Sequence, residues 1–443
     1  MSKSLLLLSV FLFFASGEIQ ARPPDHDLRM SPFSAPLADD NFQVFLENIT
    51  TINNIYQFET MGLTQGKVLL EPWASSYWPI YLGILGNRYA DPEMEKSKRF
   101  TDNYENYLAH PAEAYIANQN ISRLSPSEKY DLLVGDPNWS LTKAMWKRGL
   151  DDMASGGVAN WTGICHGWSA ATHMGIPKPQ HGVDAFDVTG TYLIHFFADD
   201  IKALQSYLWA KSSPTSIQAG SRCKQENVDR DPYLRPVQPA CLDSNPMTWH
   251  LVITNRVGIH GNSFVMDSSS GPEVWNYPIA GYDYNYFNPR TFETTHNIKA
   301  AIEPIANLNL DKFSSYRDTR TKYIVGIAMD AFHPELISAR SGDSNGSNSM
   351  HVENYVYDLE LDENYSIIGG EWYSKERPDF LWTFPKDSKA LTREDLVIVE
   401  NWDVKNPLPK DFADRAKSAS LHGSVLSKIA NTLLNESIPN SAP

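Results

Sequence analysis

A chain of 443 residues with 42% hydrophobic and 12% aromatic side chains carries enough apolar material for a sizeable core, so disorder throughout is excluded. Its formal net charge is −15, from 53 acidic and 38 basic side chains, and no basic cluster offsets it. Such a surface repels polyphosphate, which argues against nucleic acid as a partner and against adhesion to anionic membranes.

Residues 1–17 read as a signal peptide, with Lys3 ahead of an apolar core at 5–14 and small residues at Ala15, Ser16 and Gly17. That core is shorter than the ~20 residues a membrane span needs. No later stretch of that length is free of charge, so the processed chain is expected outside the cytoplasm, secreted or periplasmic, and not in a membrane. Residues 18–40, with Pro23, Pro24, Pro32 and Pro36, are expected to be a propeptide or flexible segment. Residues 41–150 read as a helical region. Apolar residues recur at helical spacing over 41–56, and Ser125-Pro126-Ser127-Glu128 is a helix start with proline in the first turn. Between them an aromatic run at 72–81, including Trp73, Tyr77, Trp78 and Tyr81, reads as core or as a groove wall.

Residues 151–335 are expected to be the catalytic core, and they hold all three cysteines. Cys223 and Cys241 flank a polar, proline-containing segment that a disulfide would close, which leaves Cys165 over. An odd cysteine in an exported protein marks intermolecular pairing or a reactive thiol. Cys165 follows a glycine-rich approach and opens a helix predicted over 167–174, where the positive end of the macrodipole favours the thiolate. A second helix is predicted over 198–211. Next come two β-rich runs, 248–257 and 263–268, separated by Gly258-Ile259-His260-Gly261, which is a hairpin signal.

A thiol nucleophile needs a base and a group that orients the base. Of twelve histidines, His250 lies in the first run of that hairpin and Asp267 in the second. A turn at Gly258 and Ile259 sets the two opposite each other, with Cβ atoms ~4.5–5.5 Å apart, as base and orienting acid. His166 is the competing base, although its place beside Cys165 on a helix points it elsewhere and leaves it to tune the site. For an oxyanion, the Cys165 N–H is the first donor and Asn160 or Trp161 the second. A lone cysteine is otherwise a small buried hydrophobe and a His–Asp pair a structural contact. The order Cys, His, Asp favours thiol acyl transfer over both. With no CxxC and no HxxxH, neither a metal nor a cofactor is expected. The last region, 336–443, reads as β-rich: runs at 352–361 and 366–372 follow one at 322–329. A polar segment at 338–348 reads as a loop or linker, and a weakly amphipathic helix lies in the tail after 410.

Eight short motifs in order carry a resemblance: EKYDLLVGD at 128–136, GICHGW at 163–168, GSRC at 220–223, NPMTWH at 245–250, FVMD at 264–267, EVWNYP at 273–278, IIGGEWY at 367–373 and DFLW at 379–382. Together they make the chain similar to the transglutaminase elicitor family, secreted Phytophthora cell-wall transglutaminases and similar bacterial proteins. The resemblance implies an α+β fold with a papain-like or transglutaminase-like core, no dependence on calcium, and a Cys165, His250, Asp267 triad. Its substrates would be proteins bearing glutamine and lysine side chains, or small primary amines. The family's plant-recognised peptide has a counterpart around Val274, Trp275, Asn276 and Pro278, with Tyr277 where the oomycete peptide has glutamine. The leading expectation is a protein-glutamine γ-glutamyltransferase. The alternatives are a cysteine peptidase or glutamine deamidase with the same triad, and a non-catalytic surface protein recognised by a host.

Overall fold

The structure, a computed structural model, describes residues 36, 39–46, 50–212, 214–233, 235–342, 348–398 and 401–439. The expected signal peptide, nearly all of segment 18–40 and residues 343–347 of the polar segment lie outside the described residues. Phe33–Pro443 form one compact unit.

The strands, in chain order, are β1 (Gln65–Lys67), β2 (Val183–Phe186), β3 (Leu193–Phe196), β4 (Ile217–Ala219), β5 (Val265–Asp267), β6 (Asn276–Pro278), β7 (Gly281–Phe287), β8 (Thr294–Thr295), β9 (Glu303–Pro304), β10 (Tyr323–Pro334), β11 (Met350–Leu361), β12 (Ile367–Trp372) and β13 (Leu381–Thr383). They build an antiparallel sheet ordered β1-β7-β10-β11-β12, a smaller sheet ordered β4-β13-β5-β6, and the β2-β3 hairpin. Tyr282, Tyr284, Tyr286, Met329, Tyr355 and Tyr357 fill the core that the large sheet shares with Trp249 and Leu251.

A second core is helical. The principal helices are α1 (Ile55–Thr60), α2 (Phe100–Ala109), α3 (Ala112–Ala117), α4 (Pro126–Leu133), α5 (Ser140–Ala154), α6 (Cys165–His173), α7 (Ala198–Ser212), α8 (Pro246–Val252), α9 (Ile298–Ala301), α10 (Lys410–Leu421) and α11 (Ser427–Glu436). The predicted start of α4 is a full capping box: Ser125 Oγ accepts from the Glu128 N–H, and a Glu128 carboxylate oxygen accepts from the Ser125 N–H. Helix α6 lies against α7 so closely that a Cβ on Gly167 would come within 2.2 Å of the Ser206 carbonyl oxygen. Only glycine permits that approach, and it fixes where the N-terminus of α6 points. The same helical core takes in α10 and α11 from the far end of the sequence, so the tail that reads as one weak helix forms two packed ones.

Two sequence expectations are corrected. Residues 41–56 form a short 3₁₀ turn at Phe42–Phe45 and then the start of α1, not one helix. The run 248–257 is not a strand: it belongs to α8 and to the π-helical turn Ile253–Ile259 that continues it. Asn245 caps α8 by accepting the Met247 N–H at 2.9 Å, and Pro246 sits in the first turn. Every residue from Pro246 to Val252 is buried, so its apolar pattern carries no period by which helix and strand could be told apart. The expected strand around Asp267 does form, and its partners are β6 and β13 rather than the run that holds His250. The runs at 322–329, 352–361 and 366–372 correspond to β10, β11 and β12.

Candidate active site

Cys165 is the first residue of α6 and is buried, with 5% of its surface exposed. Its approach is set by the aromatic run: the Ile164 N–H donates to the Tyr77 carbonyl at 2.8 Å, and Trp168 Nε1 donates to the Trp73 carbonyl at 2.8 Å. Trp73 and Trp78 are core, whereas Tyr77 is half-buried and faces the thiol neighbourhood, so the run serves both as core and as wall.

The partners of the sulfur come from β6 and the turn before it. Cys165 Sγ donates to the Val274 carbonyl at 3.7 Å, and Asn276 Nδ2 lies 3.5 Å from Sγ as a donor. The Asn276 carbonyl oxygen accepts from Trp382 Nε1 at 2.7 Å, which fixes the amide so that its nitrogen faces the thiol. Trp382 is itself held between Phe384 and the ring of His173. Directly across the ladder from Asn276 stands Asp267. Its Oδ1 accepts from the Trp275 N–H at 2.8 Å and the Ser269 N–H at 3.2 Å, while its buried Oδ2 has no hydrogen-bond partner.

Burial pushes the Asp267 carboxyl up to about 7, against the opposing pull of those two N–H groups and of Arg222. Burial also pushes the Cys165 thiol above its usual value, and the nearby Asp267 adds to this. The N–H groups of Asn276 and His166 and the Asn276 amide work in the other direction. The helix N-terminus was expected to favour the thiolate. Here desolvation wins, and the resting group is a neutral thiol.

His250 does not meet either expected partner. It is fully buried on α8, its Nδ1 is paired with the Tyr357 hydroxyl at 2.8 Å, and its Nε2 has no hydrogen-bond partner. Phe58 and Tyr284 pack edge-on to its ring. Burial pushes it down to about 3, so it is neutral. The Cys165, His250, Asp267 cluster drawn from a hairpin is therefore corrected: the structure brings Cys165, Asp267 and Asn276 together, and leaves His250 in the aromatic core of the large sheet. The cause is the secondary structure of 246–259, which removes the cross-strand pairing on which the cluster depended. His166 is exposed and only its backbone N–H serves the sulfur. Asn160 is exposed and its carbonyl accepts the Tyr77 hydroxyl at 2.8 Å; Trp161 lies under the Arg222 guanidinium, 5.9 Å from the ring centre.

The chain matches the family model described as "Transglutaminase elicitor" over residues 45–404. It belongs to the transglutaminase elicitor family. Among solved structures it is similar to the GP42 transglutaminase from Phytophthora sojae, with a TM-score of 0.56 and 18% identity over 91% of this chain and 98% of that one. That likeness shows a shared fold of mixed helices and sheets, a transglutaminase-like fold. No curated protein sequence matches.

The segment expected from the sequence to correspond to the plant-recognised peptide lies at the thiol site. Val274 and Asn276 hold the sulfur, Pro278 is buried on β6, and Trp275 meets Tyr77 edge-on at 5.4 Å. The disulfide braces the strand behind them. Cys223 and Cys241 are joined, with Cα atoms 4.6 Å apart, and Cys165 is the free cysteine. The Cys223 N–H donates to the Asp379 carboxylate at 3.0 Å, and the Asp379 N–H donates to the Asp267 carbonyl at 3.0 Å. Among the described residues no helix is long and apolar enough to cross a membrane.

The contact of Asn276 with the sulfur had no sequence signal beyond membership of EVWNYP. Its role depends on a fold that closes 111 residues of separation.

Proposed function

We propose that this chain is a secreted protein-glutamine γ-glutamyltransferase in which Cys165 is the nucleophile. The observation that carries the reading is that one buried sulfur at a helix N-terminus meets the clamped Asn276 amide, with the buried Asp267 carboxyl and its unpaired Oδ2 directly across the ladder from Asn276. Asp267 is the proton acceptor in this proposal. With its unpaired Oδ2 it takes the thiol proton as sulfur attacks the glutamine carboxamide, and the proton leaves with ammonia. A primary amine then attacks the thioester, gives up a proton, and restores the thiol. The N–H groups of His166 and Asn276 stabilise developing charge. Lysine side chains of proteins and small primary amines are the acceptors, and burial of the thiol favours amine over water by excluding solvent. Export rests on the signal-like N-terminus and is consistent with the disulfide.

The test is incorporation of a labelled primary amine into a glutamine-bearing protein, with ammonia release measured in parallel. Incorporation by the wild type and its loss in a folded Cys165→Ser variant is the expected result. Ammonia without incorporation would make the protein a deamidase, and neither product would remove acyl transfer to amines from consideration. Host recognition is a second reading, favoured by the family's description and by the exposed Glu273 and half-buried Val274 and Trp275 at the surface end of the segment.

A further inference from the structure

The β10–β11 register places His333 opposite His351, and Glu353 two residues further along β11 on the same face. One ligand atom from each of the three lies within 4.8 Å of the others. His333 Nε2 is 3.7 Å and His351 Nε2 3.5 Å from Glu353 Oε1. A tetrahedral ion with bonds of ~2.0–2.1 Å sets its ligand atoms ~3.3 Å apart, so each histidine need close on Glu353 by only a few tenths of an ångström, and the two imidazoles, with centroids 5.2 Å apart, must turn toward each other.

The burial of His333 argues for an occupant. His333 is 2% exposed, and its Nδ1 faces the Pro334 carbonyl at 3.0 Å, which only an N–H can satisfy. Its Nε2 is turned to the cluster and is buried with no hydrogen-bond partner. A backbone carbonyl on the far nitrogen is also the usual way a metal-bound imidazole is oriented. We propose that His333, His351 and Glu353 bind one divalent transition-metal ion of the zinc class. Two imidazoles and a carboxylate suit zinc and its neighbours, and do not suit calcium. His351 and Glu353 are partly exposed, which leaves the remaining coordination open to water or a ligand.

The site adjoins the thiol through one residue. The Tyr277 ring lies against His333 with centroids 4.1 Å apart, and Trp168 of α6 packs edge-on to the same ring at 6.1 Å.

The full chain, purified without a histidine tag and stripped with chelator, should be titrated with Zn²⁺ by calorimetry. One ion per chain at micromolar affinity or tighter is expected. His351→Ala and Glu353→Gln should each weaken binding at least ~10-fold, Cys165→Ser should leave it unchanged, and Ca²⁺ should not compete. Binding weaker than millimolar, binding indifferent to both cluster variants, loss of binding in Cys165→Ser, or equal affinity for Ca²⁺ would each overturn the assignment. Because His351 is half-exposed, its variant is expected to fold, which circular dichroism checks.

Discussion

Asn276→Ala breaks two bonds at once, and their consequences can be measured separately. The first is the 2.7 Å bond from Trp382 Nε1, whose loss leaves a buried indole N–H unpaired at a cost of ~1–3 kcal/mol in stability. The second is the 3.5 Å contact with Cys165 Sγ. A hydrogen bond to a charged group is worth ~1.5–3 kcal/mol, so its loss should cut the thiolate population at a fixed pH about 10- to 150-fold. The assay is the rate of Cys165 alkylation by a small haloacetamide as a function of pH, read by mass, beside thermal unfolding of the same samples. The alkylation profile should move to higher pH and the melting temperature should fall. Trp382→Phe removes the indole donor while sparing the amide, so its effect on the profile should be the smaller one. In the Asn276→Ala, Trp382→Phe double variant the orphan N–H is gone, and part of the stability should return while the alkylation shift stays. If Asn276→Ala lowers the melting temperature and leaves the profile where it was, Asn276 is a structural residue and the site as described is wrong.

Asp267→Asn should lower amine incorporation and, unusually for an active-site change, stabilise the fold at high pH. The carboxyl rises from 3.8 to about 7 on folding, so its contribution is fully present below pH 3.8 and lost as pH rises to 7. The stability of the asparagine variant relative to wild type should therefore climb across that window by up to about 4 kcal/mol, and a gap constant with pH would refute the assigned environment. His250→Leu should cost ~1–3 kcal/mol by leaving the Tyr357 hydroxyl only the weak Met329 sulfur acceptor at 3.8 Å, while activity per folded molecule persists; selective loss of turnover would restore His250 as a base. His250 and His173, both pushed by burial from 6.5 to about 3, take up protons only on unfolding below pH 6.5. Each should erode stability by about 1.4 kcal/mol per pH unit from there toward 3, measurable by denaturant titration and absent for His250 in the leucine variant. Thiol labelling of the denatured, unreduced protein should find one thiol, and Cys223→Ser with Cys241→Ser should destabilise by ~3 kcal/mol.

The parts of this fold legible in the sequence are those fixed by local chemistry. The capping box at Ser125 and Glu128, the glycine-led approach to Cys165, and the alternating runs of β10, β11 and β12 each need only neighbours in the chain to be read. The segment 246–259 shows where local reading stops. Trp249, Leu251, Val252 and Ile253 favour a strand by composition, and their complete burial erases the alternation that would have tested it. The deciding signal was Asn245-Pro246, a helix start of the same kind as Ser125-Pro126, and tertiary packing against Tyr355 and Tyr357 made it prevail. With the helix in place, His250 turns toward β11 instead of Asp267.

Position at a helix N-terminus had suggested a thiolate, and that inference fails for a related reason. A macrodipole contributes ~0.3–1 kcal/mol at a surface, and up to about 2 kcal/mol in a partly buried site. Removing a charged sulfur from water costs more, and the Asp267 carboxylate adds repulsion whenever it is ionised. The two groups consequently oppose each other's ionisation. A proton lost from either raises its cost for the other. Burial thus keeps the sulfur neutral at rest, and under the proposed function Asp267 is the group that takes its proton. A single-step titration of alkylation rate that ignores Asp267→Asn would contradict that coupling.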